Sequence, residues 1–113
     1  MAEVSQARRR QIVACIFANT SRQANAQLPR QVDNVTRLDR ITSSGATLTY
    51  RYTVSTRLAD LPANAREIIE QTTRANVCAQ ANMVQTMQMG GAYTYRWVDP
   101  DGRQIHQMTV SRC

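Results

Sequence analysis

The sequence predicts an α+β fold in which two αββ units form one four-stranded antiparallel sheet, with the helices packed on one face. A segment with helical spacing of apolar residues is followed by two segments of alternating apolar and polar residues, and this order occurs twice. Residues 49–52 (TYRY) are also echoed by residues 94–97 (TYRW). At 113 residues we expect a single domain over 1–113, with αββ halves 1–56 and 57–113.

A helix over about residues 5–27 opens the first half, and Pro29 ends it. Apolar residues recur on one side of this helix at spacings of three, four or seven, and Thr20 or Ser21 bridges the gap between them. The predicted stripe consists of Val13, Phe17, Ala24 and Leu28, and it is widened by Ile12 and Ile16.

Two strands complete the first half, over residues 36–42 and 46–55, with a short turn ending at Gly45. The second strand alternates cleanly, so its two faces are distinct. One face carries Leu48, Tyr50, Tyr52 and Val54, and the other carries Thr47, Thr49, Arg51 and Thr53.

The second half begins after a linker at residues 57–62. Asn64 and Glu67 have the spacing of a capping box, which predicts a helix from there to about Cys78. The predicted inner face of this helix consists of Ile68, Ile69, Thr72, Ala75 and Val77. A short helix then runs from Asn82 to Gly90, and strands at 92–98 and 105–112 flank a turn at 99–102.

Strand alternation predicts that the aromatic face meets the helices and forms the core, while an arginine- and threonine-rich face points outward. This outward face is the candidate binding surface. It consists of Thr49, Arg51, Thr53, Thr94, Arg96 and Arg37, and Arg40 and Arg103 are candidates to extend it.

The net charge of +6 favours an anionic partner, and all of the positive side chains are arginines. One alternative is therefore a cytosolic domain that binds nucleic acid or another anion through the arginine-rich sheet face. Single-stranded RNA binders usually stack bases on exposed aromatic rings, however, and the rings here are predicted on the opposite face. Nucleic acid is therefore the second choice after a protein partner.

Side chains suited to catalysis are sparse. His106 is the only histidine, and Glu67 and Glu70 lie near a predicted helix N-terminus, where the helix dipole stabilises them without any acid–base role. We therefore predict no enzyme activity, no catalytic residues, no metal site and no cofactor. No apolar run is long enough to span a membrane.

The three cysteines leave two states open. Cys113 is the last residue, and a bridge to Cys78 would close a loop of about 35 residues and imply an oxidising compartment, with Cys15 as a small buried apolar residue. The alternative is three reduced thiols in the cytosol. No signal peptide is visible at the start, which fits a mature protein whose leader has been removed.

Motifs spread over about residues 24–113 resemble a group of small exported bacterial proteins. The motifs are NxQLP at 25–29, VDxxTxL at 32–38, LxYxY at 48–52, VC at 77–78, Gly91, YxY at 93–95, DG at 101–102 and Cys113. The resemblance implies a periplasmic location and a Cys78–Cys113 bridge, and it implies no activity.

Together these observations predict a non-catalytic protein-binding module of a bacterial envelope. It would act as an inhibitor, an immunity factor or an accessory component of a secretion or envelope assembly. The arginine- and threonine-rich face, or an open sheet edge, is the expected contact surface.

Overall fold

The fold is described from a computed structural model of residues 5–113, and the predicted removal of a leader concerns the start of the chain, outside these residues. The helices are α1 (Gln6–Asn25), α2 (Ala65–Cys78) and α3 (Ala81–Gln88), and a short 3-10 helix spans Leu58–Asp60. The strands are β1 (Arg30–Gln31), β2 (Thr36–Ser44), β3 (Thr47–Val54), β4 (Ala92–Val98) and β5 (Gln104–Val110). The α+β class is confirmed.

The described strands form one mixed sheet in the order β1-β2-β3-β4-β5. All neighbours are antiparallel except β3 and β4, which are parallel, so the expectation of a four-stranded antiparallel sheet is wrong in strand number and in direction. The connection through α2 and α3 returns the chain to the end of the sheet where β3 begins, and Ala92 donates its N–H to the carbonyl of Ala46 at 2.9 Å. Parallel neighbours require such a crossover, whereas a hairpin does not.

Strand β1 is the strand that was not predicted from the sequence. It pairs with β2, Arg30 with Leu38 and Gln31 with Arg37. Both β1 residues are exposed. Two exposed residues directly after Pro29 carry no alternation of apolar and polar side chains, so the sequence pattern could not indicate this strand.

Helix α1 buries a narrower stripe than the sequence predicts. Val13, Phe17 and Ser21 are buried, but Ile12 is 42% exposed and Ile16 is 49% exposed. The expected burial of Cys15 is also wrong, since this thiol is free and exposed. It follows Val13 by two residues, a rotation of about 200° around the helix, which turns it away from the sheet.

Helix α2 is less buried than predicted. Val77 is its one buried residue and Ile69 is half-buried, whereas Ile68, Thr72 and Ala75 are exposed. The predicted capping box is wrong as well, because the Asn64 side chain makes no capping hydrogen bond. One side of α2 therefore carries apolar surface that the rest of the described chain does not cover.

The disulfide between Cys78 and Cys113 is confirmed, with 5.9 Å between the two Cα atoms. It joins the end of α2 to the end of the chain beyond β5. Buried Gly91, just before β4, lies where α3 ends, and a Cβ added there would lie 3.0 Å from Val13 and from the Thr86 carbonyl. Glycine thus permits the close approach of α1, α3 and β4.

Candidate functional site

The parallel pairing of β3 and β4 aligns the sequence echo with itself. Thr49 to Tyr52 pair residue for residue with Thr94 to Trp97. Parallel strands in register place equivalent residues side by side, and successive side chains point to opposite faces. One face of the central sheet therefore carries paired aromatic rings, and the other carries paired arginines and threonines.

Four rings form a stacked layer on the helix side of the sheet, which we call the aromatic floor: Tyr50, Tyr52, Tyr95 and Trp97. The centroids of Tyr50 and Tyr95 are 4.9 Å apart at an interplanar angle of 7°, and those of Tyr52 and Trp97 are 5.8 Å apart at 15°. Contacts along each strand complete the layer, at 6.4 Å for Tyr50–Tyr52 and 6.0 Å for Tyr95–Trp97. Such contacts stabilise pairs of rings beyond the area that they bury.

The helices flank the aromatic floor and cover much of it: Tyr95 and Trp97 are buried, and Tyr50 and Tyr52 are half-buried. Helix α1 packs against β2 and β3, while α2 packs against β5 and α3. Between them lies a cleft of about 780 Å³, which we call the aromatic cleft. Its walls include Ile16, Phe17 and Thr20 from α1, Ile68, Ile69, Thr72, Thr73 and Asn76 from α2, Met83 from α3, and Val32 and Asp33 from the segment between β1 and β2.

Specific contacts attach both walls to the sheet. On the α1 side, the Asn25 amide donates to the carbonyl of Ile41 at 2.6 Å and accepts from its N–H at 2.9 Å. On the α2 side, Arg66 donates to the carbonyl of Ile105 at 2.7 Å, and the disulfide fixes the end of the helix. These contacts fix α1 and α2 against the sheet on the two sides of the cleft.

The cleft lining is apolar with hydroxyl and amide groups. Burial raises the pKa of Tyr50 and Tyr52 to about 12, so both phenols stay protonated and can donate hydrogen bonds at neutral pH. Among the described lining residues, Asp33 is the one carboxylate, and there is no histidine or cysteine. This set can bind apolar and hydrogen-bonding groups, but it offers no pair of groups for proton transfer.

His106 lies at β5, beside the aromatic floor. Its ring stacks on Trp97 at 6.2 Å, and its Nε2 lies 3.3 Å from a Glu70 carboxylate oxygen. Cys78 is held in the disulfide, so it cannot serve as a thiol nucleophile paired with His106. Within residues 5–113, no cluster of three or more His, Cys, Asp or Glu residues could hold a metal ion.

The predicted candidate surface lies on the opposite side of the sheet from the cleft, and we call it the arginine face. Strand register places these residues in two rows, Arg40, Arg51 and Arg96 in one and Thr42, Thr49, Thr94 and Thr109 in the other, with Arg37 opposite Thr53. Every residue of the predicted set is thus brought together. Of the two candidate extensions, Arg40 joins the first row, and Arg103 lies in the turn before β5.

Sequence reasoning missed the aromatic cleft, because alternation assigns Tyr50 and Tyr52 to the helix side without showing how far apart the helices lie. A signal was present in Ile16 and Ile68, which the sequence assigns to apolar stripes but which are 49% and 52% exposed at the cleft. An apolar stripe that is wider than one packing contact requires indicates that the helix face also contacts a second neighbour.

No family model matches the sequence, and no curated protein is significantly similar to it. Three solved structures share the fold. A Pseudomonas aeruginosa protein assigned as secreted has a TM-score of 0.77 at 12% identity, over 97% of this chain and 95% of its own. A pilotin from the Vibrio vulnificus type 2 secretion system has a TM-score of 0.77 at 18% identity, over 90% of each chain. The Vibrio cholerae type II secretion pilotin has a TM-score of 0.71 at 16% identity, over 90% of this chain and 91% of its own.

In the described part of the chain, no helix is long and apolar enough to cross a membrane.

Proposed function

We propose that the protein is a non-catalytic accessory module of a secretion or envelope assembly, and that it binds an apolar helix of a partner protein in the aromatic cleft. The observation that carries this proposal is the cleft between two anchored helices, with aromatic rings at its base and exposed isoleucines on its walls. A sheet buries its apolar face under helices that pack about 10 Å apart. A gap between two such helices can therefore hold a third helix.

The chemistry of the lining supports a helix as the occupant. Amphipathic helices bind in apolar grooves through residues spaced three or four apart, and the rim of such grooves is polar. Here the floor is aromatic, Ile16 and Ile68 on the two walls are exposed, and threonines and amides complete the lining. An aromatic and aliphatic surface of this kind is costly to leave in water, which gives a partner its binding energy.

Two observations support an exported location. The Cys78–Cys113 disulfide is a bond that persists in oxidising compartments and is rare in the cytosol. The fold is also shared with two secretion pilotins and with a protein assigned as secreted. Neither observation favours the alternative of a cytosolic nucleic-acid binder.

A pair of matched variants on α1 tests the cleft. Ile16 and Ile12 have similar exposure, but only Ile16 lines the cleft. Affinity capture from envelope extract should recover one stoichiometric protein with the wild type and with Ile12→Glu, and lose it with Ile16→Glu. Trp97 is the single tryptophan and lies in the floor, so titration with the captured protein should change its fluorescence. Capture that survives both Ile16→Glu and Ile68→Glu would refute the cleft as the binding site.

A further inference from the structure

The arginine face holds more positive charge than the described chain neutralises. Arg40, Arg51 and Arg96 lie in register on three adjacent strands, which are about 4.8 Å apart. Like charges placed directly opposite each other destabilise a sheet. Stability alone would not select three arginines in one row, since threonine favours strands and avoids the repulsion.

Only one carboxylate in the described chain pairs with this face. Asp39 lies 2.6 Å from Arg37 and 3.5 Å from Arg51, measured between guanidinium nitrogen and carboxylate oxygen. Within residues 5–113, neither Arg40 nor Arg96 lies within ion-pair distance of a carboxylate, and Arg96 donates instead to the neutral amide of Gln104 at 3.1 Å.

The Asp39 contacts show which ligand these residues can hold. One carboxylate oxygen accepts from Arg37, and the other accepts from the Thr53 hydroxyl at 2.5 Å. Burial raises the pKa of Asp39, but the hydrogen bonds from Thr53 and Arg37 and the charge of Arg51 outweigh this effect and lower the pKa below its usual value. Guanidinium and threonine hydroxyl groups on this face thus stabilise an ionised carboxylate. On the next strand, Arg96 lies beside Arg51 and Thr94 lies beside Thr49, so a guanidinium and a threonine hydroxyl are present there as well.

We propose that the arginine face is a second docking surface, which binds an acidic segment of a partner protein through its aspartate and glutamate carboxylates. The surface consists of Arg37, Arg40, Arg51, Arg96, Thr49, Thr53 and Thr94. It lies on the opposite side of the sheet from the aromatic cleft, so this proposal does not depend on the function proposed for the cleft.

Two other anionic partners fit the face less well. Single-stranded nucleic acid is bound by stacking on exposed rings, and strand parity places the ring of every strand aromatic residue on the cleft side. Anionic membrane surfaces are bound most strongly where basic residues flank apolar side chains that insert. The paired positions of this face hold arginines, threonines, Gln104 and Gln107, and the apolar Val98 beside Thr53 is only 1% exposed, so it is not available to insert. Guanidinium groups bind carboxylates with paired, directional hydrogen bonds.

Fluorescence anisotropy of a labelled hexaglutamate peptide tests the proposal. We expect binding that weakens as salt rises from about 20 to about 150 mM, since surface charges are screened over that range. Arg40→Thr and Arg96→Thr should each weaken binding about ten-fold, the loss of one charged hydrogen-bonding group. Arg22→Thr is the control, because Arg22 lies on α1, is exposed and contacts Asn19, and its removal changes the net charge equally.

Several outcomes would overturn the proposal. If Arg22→Thr weakens hexaglutamate binding as much as Arg96→Thr does, net charge and not the face binds the peptide. Tighter binding of a single-stranded oligonucleotide or of phosphatidylglycerol vesicles at the same salt would assign the face to those partners. Melting temperatures should not fall in Arg40→Thr, which separates a binding role from a structural one. Ile16→Glu should leave hexaglutamate binding unchanged, so failure of the cleft proposal is distinguishable from failure of this one.

Discussion

Removal of the disulfide by Cys78→Ser should destabilise the protein without changing its fold. The bridge closes a loop with a sequence separation of 35 residues. In the chain-entropy model such a loop restricts the unfolded chain enough to stabilise the folded state by about 4 kcal/mol. With an unfolding entropy near 2.1 cal/mol/K per residue, this loss lowers the melting temperature of a chain of this size by roughly 15 °C.

The measurement is urea denaturation followed by far-UV circular dichroism, with Cys15→Ser as the control. Cys15 is exposed and outside the bridge, so its replacement removes a thiol without opening the loop, and we expect less than about 0.5 kcal/mol of change. Addition of a reductant should bring the wild type to the stability of Cys78→Ser and leave Cys78→Ser unaffected. A loss below about 1 kcal/mol in both the variant and the reduced wild type would refute the loop-entropy reasoning.

Three further substitutions test single contacts. Gly91→Ala should cost about 1–3 kcal/mol in urea denaturation, because the new methyl group meets a backbone carbonyl and a fully buried valine. Asn25→Ala should cost a similar amount by the same assay, since it leaves an N–H and a carbonyl of β2 without their partner. Backbone hydrogen bonds, first from Leu58, lower the pKa of Asp99. Asp99→Asn should therefore melt below the wild type at pH 7. This difference should shrink as the pH falls below about 3.9, the pKa of an unfolded aspartate, and vanish below the lowered pKa at which the folded carboxyl protonates.

The sequence predicted most elements because their signals are local. The predicted bounds of β4 agree with the structure, and those of the other long strands and the first two helices agree to within about two residues at most ends. The split between aromatic and arginine faces was also correct, because side-chain parity in a strand depends only on the sequence. Strand direction does not follow from parity. Whether β4 runs with or against β3 depends on where the crossover through α2 and α3 leaves the chain, which is a property of the whole fold.

The aromatic cleft escaped prediction for a related reason. The alternation of apolar and polar residues around Tyr50 is the same whether its ring lies under a helix or between two helices. The pattern therefore cannot distinguish a core residue from a cleft residue. That difference depends on the spacing of α1 and α2, which is set by long-range contacts such as those of Asn25 and Arg66. The candidate residues of the arginine face, by contrast, share one side of the sheet as expected, since that placement required only parity and the presence of a sheet, and their role in binding stays a prediction.

One structural arrangement produces both candidate surfaces. In-register parallel pairing places like residues side by side, so the echo that stacks Tyr50 on Tyr95 also brings Arg51 next to Arg96. The first effect stabilises the sheet, and the second opposes it. A shift of one residue in the β3–β4 pairing would place aromatic residues opposite arginines. The same shift would break the pairing of the rings in the aromatic floor and of the arginines in their row. The register of this one strand pair therefore sets the geometry of both surfaces, and its favourable stacking offsets the repulsion that a row of arginines imposes on the opposite face.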